Sequence, residues 1–255
     1  MRLYIIRHAD PDYERDNLTP AGHLEAAALA ERVEKIAPTH IYSSPLGRAK
    51  ATMQYSTDRL KMSPVIEEWM AELSDCRLTL EPWGKLVMWD IPGELIRTKS
   101  PYPTAENWHE QSCFTTPNFR ERFERLKSNS DEFVARHGYE REGGLYRPLR
   151  ANRDKLAVFC HGGFGLCWLA HLLEIPLPLM FSGFFLHPSS VTTILFDERS
   201  EKWAVPRCIS LAEITVTEVA RSRSRHGSLA ARTTTVSCST TAGVAPAGSS
   251  AAMAG

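Results

Sequence analysis

Three segments of the chain repeat one pattern: a short predicted strand, then a polar loop, then a helical pattern. The predicted strands are residues 3–6, 40–43 and 156–160, and the first and third are apolar throughout. Runs of this length are typical of strands that are buried on both faces of a sheet. Because strands that alternate with helices assemble into parallel sheets, the pattern predicts an α/β fold, a three-layer α/β/α sandwich with a mostly parallel central sheet.

The first helix has a clear predicted start and end. Thr19 supplies a hydroxyl N-cap, and Pro20 occupies the first helical position. Apolar residues then recur with a period of 3.6 as far as Ile36, and Pro38 ends the helix. Further helices are predicted at 48–55, 119–137 and 164–173, and further strands at 191–196 and 203–206.

Composition divides the chain into two parts. Residues 1–216 are predicted to form one domain, in which the segment 75–150, rich in Pro, Trp and charge, is an insertion that packs over the strand ends. Residues 217–255 contain four Arg, one Glu and no Phe, Tyr or Trp. Because Ser, Thr, Ala and Gly bury too little apolar surface to offset the entropy of ordering, 217–255 is predicted to be a disordered low-complexity tail.

Charge and cysteine usage exclude several classes of protein. The 30 Lys and Arg residues balance the 30 Asp and Glu residues, whereas non-specific binding to nucleic acid or to anionic membranes needs a basic excess. The six cysteines form no C-x-x-C pair, which indicates free thiols in a reducing compartment rather than a disulfide framework or a zinc site. The apolar window 164–186 is broken by proline and charge. We therefore expect a cytoplasmic protein with neither a nucleic-acid nor a membrane partner.

Basic side chains follow the predicted strands. Arg7 and His8 come after the first strand, Arg48 after the second, and His161 after the 156–160 strand. Ligands bind at the carboxyl ends of parallel strands, so these four residues are expected to converge. Guanidinium groups bind phosphate oxygens in pairs, and a neutral imidazole can serve as a nucleophile. Because the neighbouring positive charge lowers the imidazole pKa, the set predicts phosphoryl-transfer chemistry.

Four sequence blocks then suggest a family. The runs IIRHADPD, LTPAGHLEA, YSSPLGRAKAT and FCHGGF, in that order, resemble the motifs of the histidine phosphatase superfamily, also called the phosphoglycerate mutase-like family. The resemblance covers residues 2–55 and 154–197. It implies that His8 is the phosphorylated nucleophile and that Arg7, Arg48 and His161 form the phosphate pocket. Ala9 replaces the family's usual glycine and Cys160 its serine, and neither change removes a group that the chemistry needs.

The resemblance also implies a glutamate that donates a proton to the leaving group, placed after the helix of Arg48. Glu67, Glu68 and Glu72 are the candidates. Glu72 is favoured because it follows Met70 and Ala71 in the hydrophobic-x-Glu pattern of the family, and Glu68 is next. The role requires a carboxylic acid with a raised pKa.

Three functions stay open for such a pocket. Only ten residues separate His8 from Thr19, and a mutase-like run after Arg48 is missing, which favours hydrolysis of a small phosphorylated metabolite without a metal or other cofactor. The alternatives are phosphoglycerate mutase-type transfer and a catalytically inactive phosphate-binding module. Oligomeric state is not predicted. Further candidates to contact substrate, each with packing or solvation as the simpler interpretation, are Arg77, Lys85, Arg97, Lys99, Trp83, Trp89, Tyr102 and Trp108.

Overall fold

The computed structural model describes residues 1–114, 118–150, 152–200 and 202–214. The segment 217–255, predicted to be a disordered tail, lies outside these residues. In the part of the chain that the structure describes, no helix combines the length and the hydropathy needed to cross a bilayer.

Strands and helices alternate through most of the described chain. The strands, in chain order, are β1 (Arg2–Arg7), β2 (Pro11–Asp12), β3 (Asn17–Leu18), β4 (His40–Ser43), β5 (Val65–Ile66), β6 (Arg77–Leu80), β7 (Gly84–Val87), β8 (Tyr139–Glu142), β9 (Leu145–Pro148), β10 (Lys155–Cys160), β11 (Ser190–Asp197) and β12 (Val205–Ile214). The α-helices are α1 (Pro20–Ile36), α2 (Gly47–Leu60), α3 (Gly93–Arg97), α4 (Phe119–Arg136), α5 (Gly162–Leu172) and α6 (Leu177–Gly183).

Six of these strands form the central sheet, in the spatial order β12-β11-β1-β10-β4-β5. Strands β1, β10, β4 and β5 are parallel to their neighbours. Strand β11 is antiparallel to both β1 and β12, so it alone runs against the others in this sheet. The prediction of a mostly parallel central sheet is therefore confirmed.

Both faces of the sheet are covered by helices, which makes the molecule a three-layer sandwich as predicted. On one face, Leu3, Ile5 and Val158 pack with α4, α5 and α6. On the other face, Ile6 and Phe159 pack with α1 and α2. Because successive strand residues point to opposite faces, burial on both sides explains why the central strands are apolar without alternation.

Most predicted elements are present, with shifted ends. The Thr19 hydroxyl accepts a hydrogen bond from the Gly22 N–H at 3.0 Å, so α1 has the predicted cap. Helix α2 extends beyond the predicted 48–55, α5 starts two residues before the predicted 164–173, and β12 is longer than the predicted 203–206.

The segment 75–150 has several separate parts. The β6–β7 hairpin and the turn Met88–Asp90 carry residues of the cavity described below. Helix α4 packs against α5 within a helical layer, where the Trp168 indole N–H donates to the Ser130 hydroxyl at 2.7 Å. Strands β8 and β9 form a second hairpin, which pairs with Ala204 through Tyr146. The first part of the segment, and not α4, therefore lies over the strand ends.

Candidate active site

Three aligned strand ends position the polar residues. Ile6 in β1 pairs with Phe159 in β10, and Phe159 pairs with Ser43 in β4. His8 follows β1, Ser44 follows β4 and His161 follows β10, and all three residues are buried. The His8 backbone N–H donates to the Cys160 carbonyl at 2.9 Å, which extends the parallel ladder one residue into the site.

The imidazole of His8 has a defined tautomer. Its Nδ1 lies 2.8 Å from the Ala9 carbonyl oxygen, and since a carbonyl only accepts, Nδ1 carries the proton. The lone pair is then on Nε2. Burial lowers the pKa of His8 to about 3, and the charges of Arg7 and Arg48 act in the same direction. The ring is therefore neutral near pH 7, in the state that a nucleophile requires.

His161 lies beside His8, with the ring centroids 5.2 Å apart. Its Nε2 is 2.7 Å from the Ser44 hydroxyl, whereas its buried Nδ1 has no partner among the described residues. Burial, together with the charge of Arg48, lowers the pKa of His161 well below its usual value. A neutral His161 that is protonated on Nδ1 would offer one hydrogen-bond donor to a bound anion.

Asp16 orients Arg48. The buried Arg48 guanidinium donates from Nη1 to Asp16 Oδ1 at 2.6 Å, and the Gly47 N–H donates to Asp16 Oδ2 at 2.6 Å. This contact needs glycine at position 47, because a Cβ there would lie 2.1 Å from the Asp16 carbonyl oxygen. Burial alone would raise the pKa of Asp16, but the hydrogen bonds from Gly47 and Arg48 lower it, so the carboxylate is charged at neutral pH.

Arg7 is oriented in a similar way. Its Nη1 donates to the Leu186 carbonyl, and the Phe185 ring lies 5.6 Å from the guanidinium carbon. In both Arg7 and Arg48, the acceptor engages Nη1, and Nε has no partner in the part of the chain that the structure describes.

Unpartnered donors are concentrated at this edge of the sheet. Six buried side-chain polar atoms among the described residues lack a hydrogen bond: Arg7 Nε, Arg48 Nε, Ser56 Oγ, Gln111 Oε1, His161 Nδ1 and Ser190 Oγ. Three of the six are nitrogens of the residues predicted to bind phosphate. Because a buried donor without an acceptor costs free energy, the arrangement favours a bound anion.

The carboxylate of Glu72 lies at the N-terminus of α5. Its carboxylate accepts hydrogen bonds from the backbone N–H groups of Gly163 at 3.1 Å and Phe164 at 2.7 Å. Burial raises the pKa of Glu72, and these backbone donors and Arg48 oppose the shift only in part. Of the other two candidates, Glu67 is paired with Arg136 at 2.8 Å, and Glu68 is exposed away from the cavity. The structure therefore places only Glu72, of these three, beside the two arginines.

A cavity of about 600 Å³ adjoins Arg7, Arg48 and Glu72, whereas the buried His8 and His161 are not among its lining residues. Its lining includes Arg7, Tyr13, Arg48, Glu72, Arg77, Trp89, Asp90, Gly162 and Phe185. The Trp89 ring lies directly on Gly163, where an added Cβ would come within 2.3 Å of the ring. Glycine at 163 thus allows an aromatic wall close to the start of α5.

The additional substrate-contact candidates divide between cavity and surface. Arg77 and Trp89 line the cavity. Trp108 is buried against Phe119 and Phe123 instead. Away from the cavity, Arg97 contacts Ser182, and four other candidates are exposed: Trp83, Lys85, Lys99 and Tyr102.

Sequence reasoning missed several residues that line the cavity or contact the predicted site residues. Asp16 and Tyr13 lie in the loop after His8, and Ser44 lies inside the YSSPLGRAKAT block, so their positions next to predicted site residues were an available signal. Asp90 and Phe185 have no such signal, because tertiary packing alone brings them to the cavity.

Comparisons with known proteins identify the family. A family model described as the histidine phosphatase superfamily, branch 1, matches residues 3–208. A Hydrogenobacter thermophilus protein provisionally named phosphoserine phosphatase 2 is 35% identical over 82 residues, a stretch that covers 29% of this chain and 40% of that protein.

Solved structures share the fold. A phosphoserine phosphatase from Entamoeba histolytica, in complex with phosphoserine, aligns with a TM-score of 0.57 and 20% identity over 83% of this chain and 96% of that one. A mycobacterial glucosyl-3-phosphoglycerate phosphatase aligns with a TM-score of 0.55 and 19% identity over 84% of this chain and 99% of its own. At these identities the likeness concerns the fold.

We predict that Asp16→Asn weakens anion binding. Removing the charge that holds Arg48 should lower kcat/KM for a phosphomonoester by about 10- to 100-fold, because a misplaced binding group costs roughly this much. The inhibition constant of inorganic phosphate should rise in parallel. Asp12→Asn, at the end of β2 and paired with Arg15, is the control and should change neither value. Equal behaviour of the two variants would contradict the role given to Asp16.

Proposed function

Because the chain belongs to the histidine phosphatase superfamily, we propose that it hydrolyses a small phosphomonoester through a phosphohistidine intermediate on His8. One observation carries the proposal: three buried nitrogens that lack a partner among the described residues belong to Arg7, Arg48 and His161, which lie near the neutral imidazole of His8. A phosphate dianion would supply acceptors to all three donors and place its phosphorus near the nucleophile.

In the first proposed step, the His8 Nε2 lone pair attacks phosphorus. The bond from phosphorus to the ester oxygen breaks, and the leaving alkoxide takes the proton of the Glu72 carboxyl group. Arg7, Arg48 and His161 hold the three non-bridging oxygens, where negative charge is concentrated during transfer. The raised pKa of Glu72 supports its role as the acid.

In the second step, water regenerates the enzyme. The Glu72 carboxylate accepts a proton from a water molecule, whose oxygen attacks phosphorus as the bond to Nε2 breaks. Inorganic phosphate leaves and His8 returns to its neutral form. No metal or other cofactor takes part in the proposed cycle.

We predict that His8→Ala abolishes hydrolysis of p-nitrophenyl phosphate in EDTA, with a loss of at least about 10³-fold in kcat, because no other group forms the intermediate. Wild-type protein quenched after mixing with a radiolabelled phosphoester should carry label that is stable in alkali and lost in acid, as expected for a phosphorus–nitrogen bond. His109→Ala is the control and should be fully active. Retained activity in His8→Ala would contradict the nucleophile, and an inactive wild type would favour a phosphate-binding module.

We predict that Glu72→Gln shows a leaving-group dependence. For an alkyl phosphate, kcat/KM should fall by about 10²- to 10⁴-fold, because its leaving alkoxide needs a proton. For p-nitrophenyl phosphate, whose leaving group is weakly basic, the loss should be much smaller.

The pH profile provides a second measurement of the same role. Because the acid must be protonated, wild-type kcat/KM for the alkyl substrate should fall as pH rises through the raised pKa of Glu72, and Glu72→Gln should lose this limb. Glu68→Gln is the matched control. A leaving-group dependence in Glu68→Gln instead would transfer the role to that residue.

The charges at the cavity support a zwitterionic phosphoester as the substrate. Arg77 and Asp90 both line the cavity beyond the phosphate-binding residues. The Arg77 Nε donates to the Ser74 carbonyl at 2.8 Å. This bond does not use the two Nη groups, which remain for other acceptors. A substrate such as phosphoserine carries a carboxylate for Arg77 and an ammonium for Asp90. 3-Phosphoglycerate offers the same carboxylate but a hydroxyl in place of the ammonium.

We predict that Asp90→Asn raises KM for phosphoserine about fivefold and leaves KM for 3-phosphoglycerate unchanged, because a partly exposed ion pair contributes about 1 kcal/mol. Steady-state phosphate release from the two substrates measures the difference. Asp75→Asn, in the same segment but paired with Arg122 at 2.8 Å, is the control. Equal effects on both substrates would contradict the role of Asp90. Isomerisation of 3-phosphoglycerate by the wild type would favour a mutase.

A further inference from the structure

A second cluster of potential metal ligands lies at the amino ends of the parallel strands, opposite the candidate active site. His40 begins β4, His137 follows α4, and Asp154 precedes β10. One ligand atom of each residue lies within 4.8 Å of those of the others. Ser44, at the carboxyl end of β4 in the candidate active site, is four residues along the chain from His40. Four residues of extended strand span about 13 Å. The cluster is therefore separate from the candidate active site.

The hydrogen bonds of the two histidines leave one ring nitrogen of each available. The His137 Nε2 is 2.9 Å from the Tyr42 hydroxyl, and its Nδ1 lies 4.0 Å from Asp154 Oδ2. The His40 Nδ1 is 2.9 Å from the Thr39 hydroxyl, so its Nε2 is available. We propose that His40 Nε2, His137 Nδ1 and Asp154 Oδ2 bind a divalent transition-metal ion, with Zn²⁺ as the best match.

The surrounding hydroxyl groups suit this assignment. A metal on His137 Nδ1 requires the proton on Nε2, which then donates to the Tyr42 oxygen. A metal on His40 Nε2 requires the proton on Nδ1, which donates to the Thr39 oxygen. The Thr39 hydroxyl is then free to donate to the Lys155 carbonyl, 3.3 Å away. Both imidazoles thus have the outer-shell partners that fix metal-binding histidines in orientation and tautomer.

The donor set and the charges select the kind of ion. Two imidazole nitrogens and one carboxylate oxygen suit Zn²⁺, whereas Mg²⁺ and Ca²⁺ prefer oxygen ligands. Tetrahedral Zn²⁺ places its ligand atoms about 3.3–3.6 Å apart, so modest side-chain rotations close the site. His40 is exposed, which leaves room for water as the fourth ligand. Two arginines, Arg136 and Arg150, lie near His137. The charge of Arg136 is offset by its ion pair with Glu67.

The ion would join three elements that are distant in sequence. His137 marks the end of α4, His40 the start of β4, and Asp154 the loop before β10. Because these elements separate on unfolding, binding should stabilise the native state by mass action. The expected consequence is thermal stability that depends on Zn²⁺ concentration, with no contribution to the chemistry at the other edge.

The test uses the full chain, purified without a histidine tag and dialysed against EDTA. Added ZnCl₂ should raise the melting temperature of the wild type by about 5–10 °C at one hundred times Kd, and calorimetric titration should show one site. His40→Ala and Asp154→Asn should fold, weaken Zn²⁺ binding at least tenfold and lose the shift. MgCl₂ should produce no shift.

Two controls separate this site from other histidines. His8→Ala tests the catalytic histidine pair, and His109→Ala tests a histidine outside both groups. Both should retain the Zn²⁺-induced shift. The proposal is overturned by a wild type that shows no shift, by an equal shift in His40→Ala, or by loss of the shift in His8→Ala.

Discussion

The parallel register of β1, β10 and β4 is the constraint on which the site depends. Pairing of Ile6 with Phe159, and of Phe159 with Ser43, ends the three strands at the same level. Helices cover both sheet faces, and the central residues of β1 and β10 are therefore apolar on both sides. His8, Ser44 and His161 are the first residues after the three aligned strands, and the sheet therefore holds these buried side chains close together.

Burial gives these residues their electrostatic character. Two imidazoles stay neutral because water is excluded and two guanidinium groups are close. Each guanidinium has one fixed acceptor, Asp16 for Arg48 and the Leu186 carbonyl for Arg7. Among the described residues, the buried Nε of each guanidinium and Nδ1 of His161 lack acceptors, which destabilises the free protein slightly and favours an anion there. Donors oriented before the ligand arrives need little reorganisation during reaction, which is the main physical advantage of such a site.

The same strands give the molecule two distinct ends. At the carboxyl ends, donors surround a cavity that is closed on one side by Trp89 and the 77–90 region. At the amino ends, His40 and Asp154 lie beside the end of α4 and form a set of acceptors instead. One edge thus suits a phosphate and the other a cation. The length of one strand separates them, so the proposed metal would bear on stability and not on the proposed phosphoryl chemistry.

The sequence by itself determined the layered α/β fold and predicted the four site residues Arg7, His8, Arg48 and His161. Each signal was local: short runs mark buried strands, and basic side chains lie in the segments that follow them. Among the three glutamates, the hydrophobic-x-Glu pattern favoured Glu72, and Glu68 stayed the alternative because no local burial signal separates the two.

Tertiary structure decided the rest. Glu72 is placed at the start of α5 by packing between segments about 90 residues apart, as its bonds to Gly163 and Phe164 show. Asp16 on Arg48, Trp89 on Gly163 and the His40–His137–Asp154 cluster likewise depend on contacts that no periodicity encodes. The hairpins β6–β7 and β8–β9 were not predicted either. Side chains from distant segments meet only when the core folds, and at that point their charges and pKa values become defined.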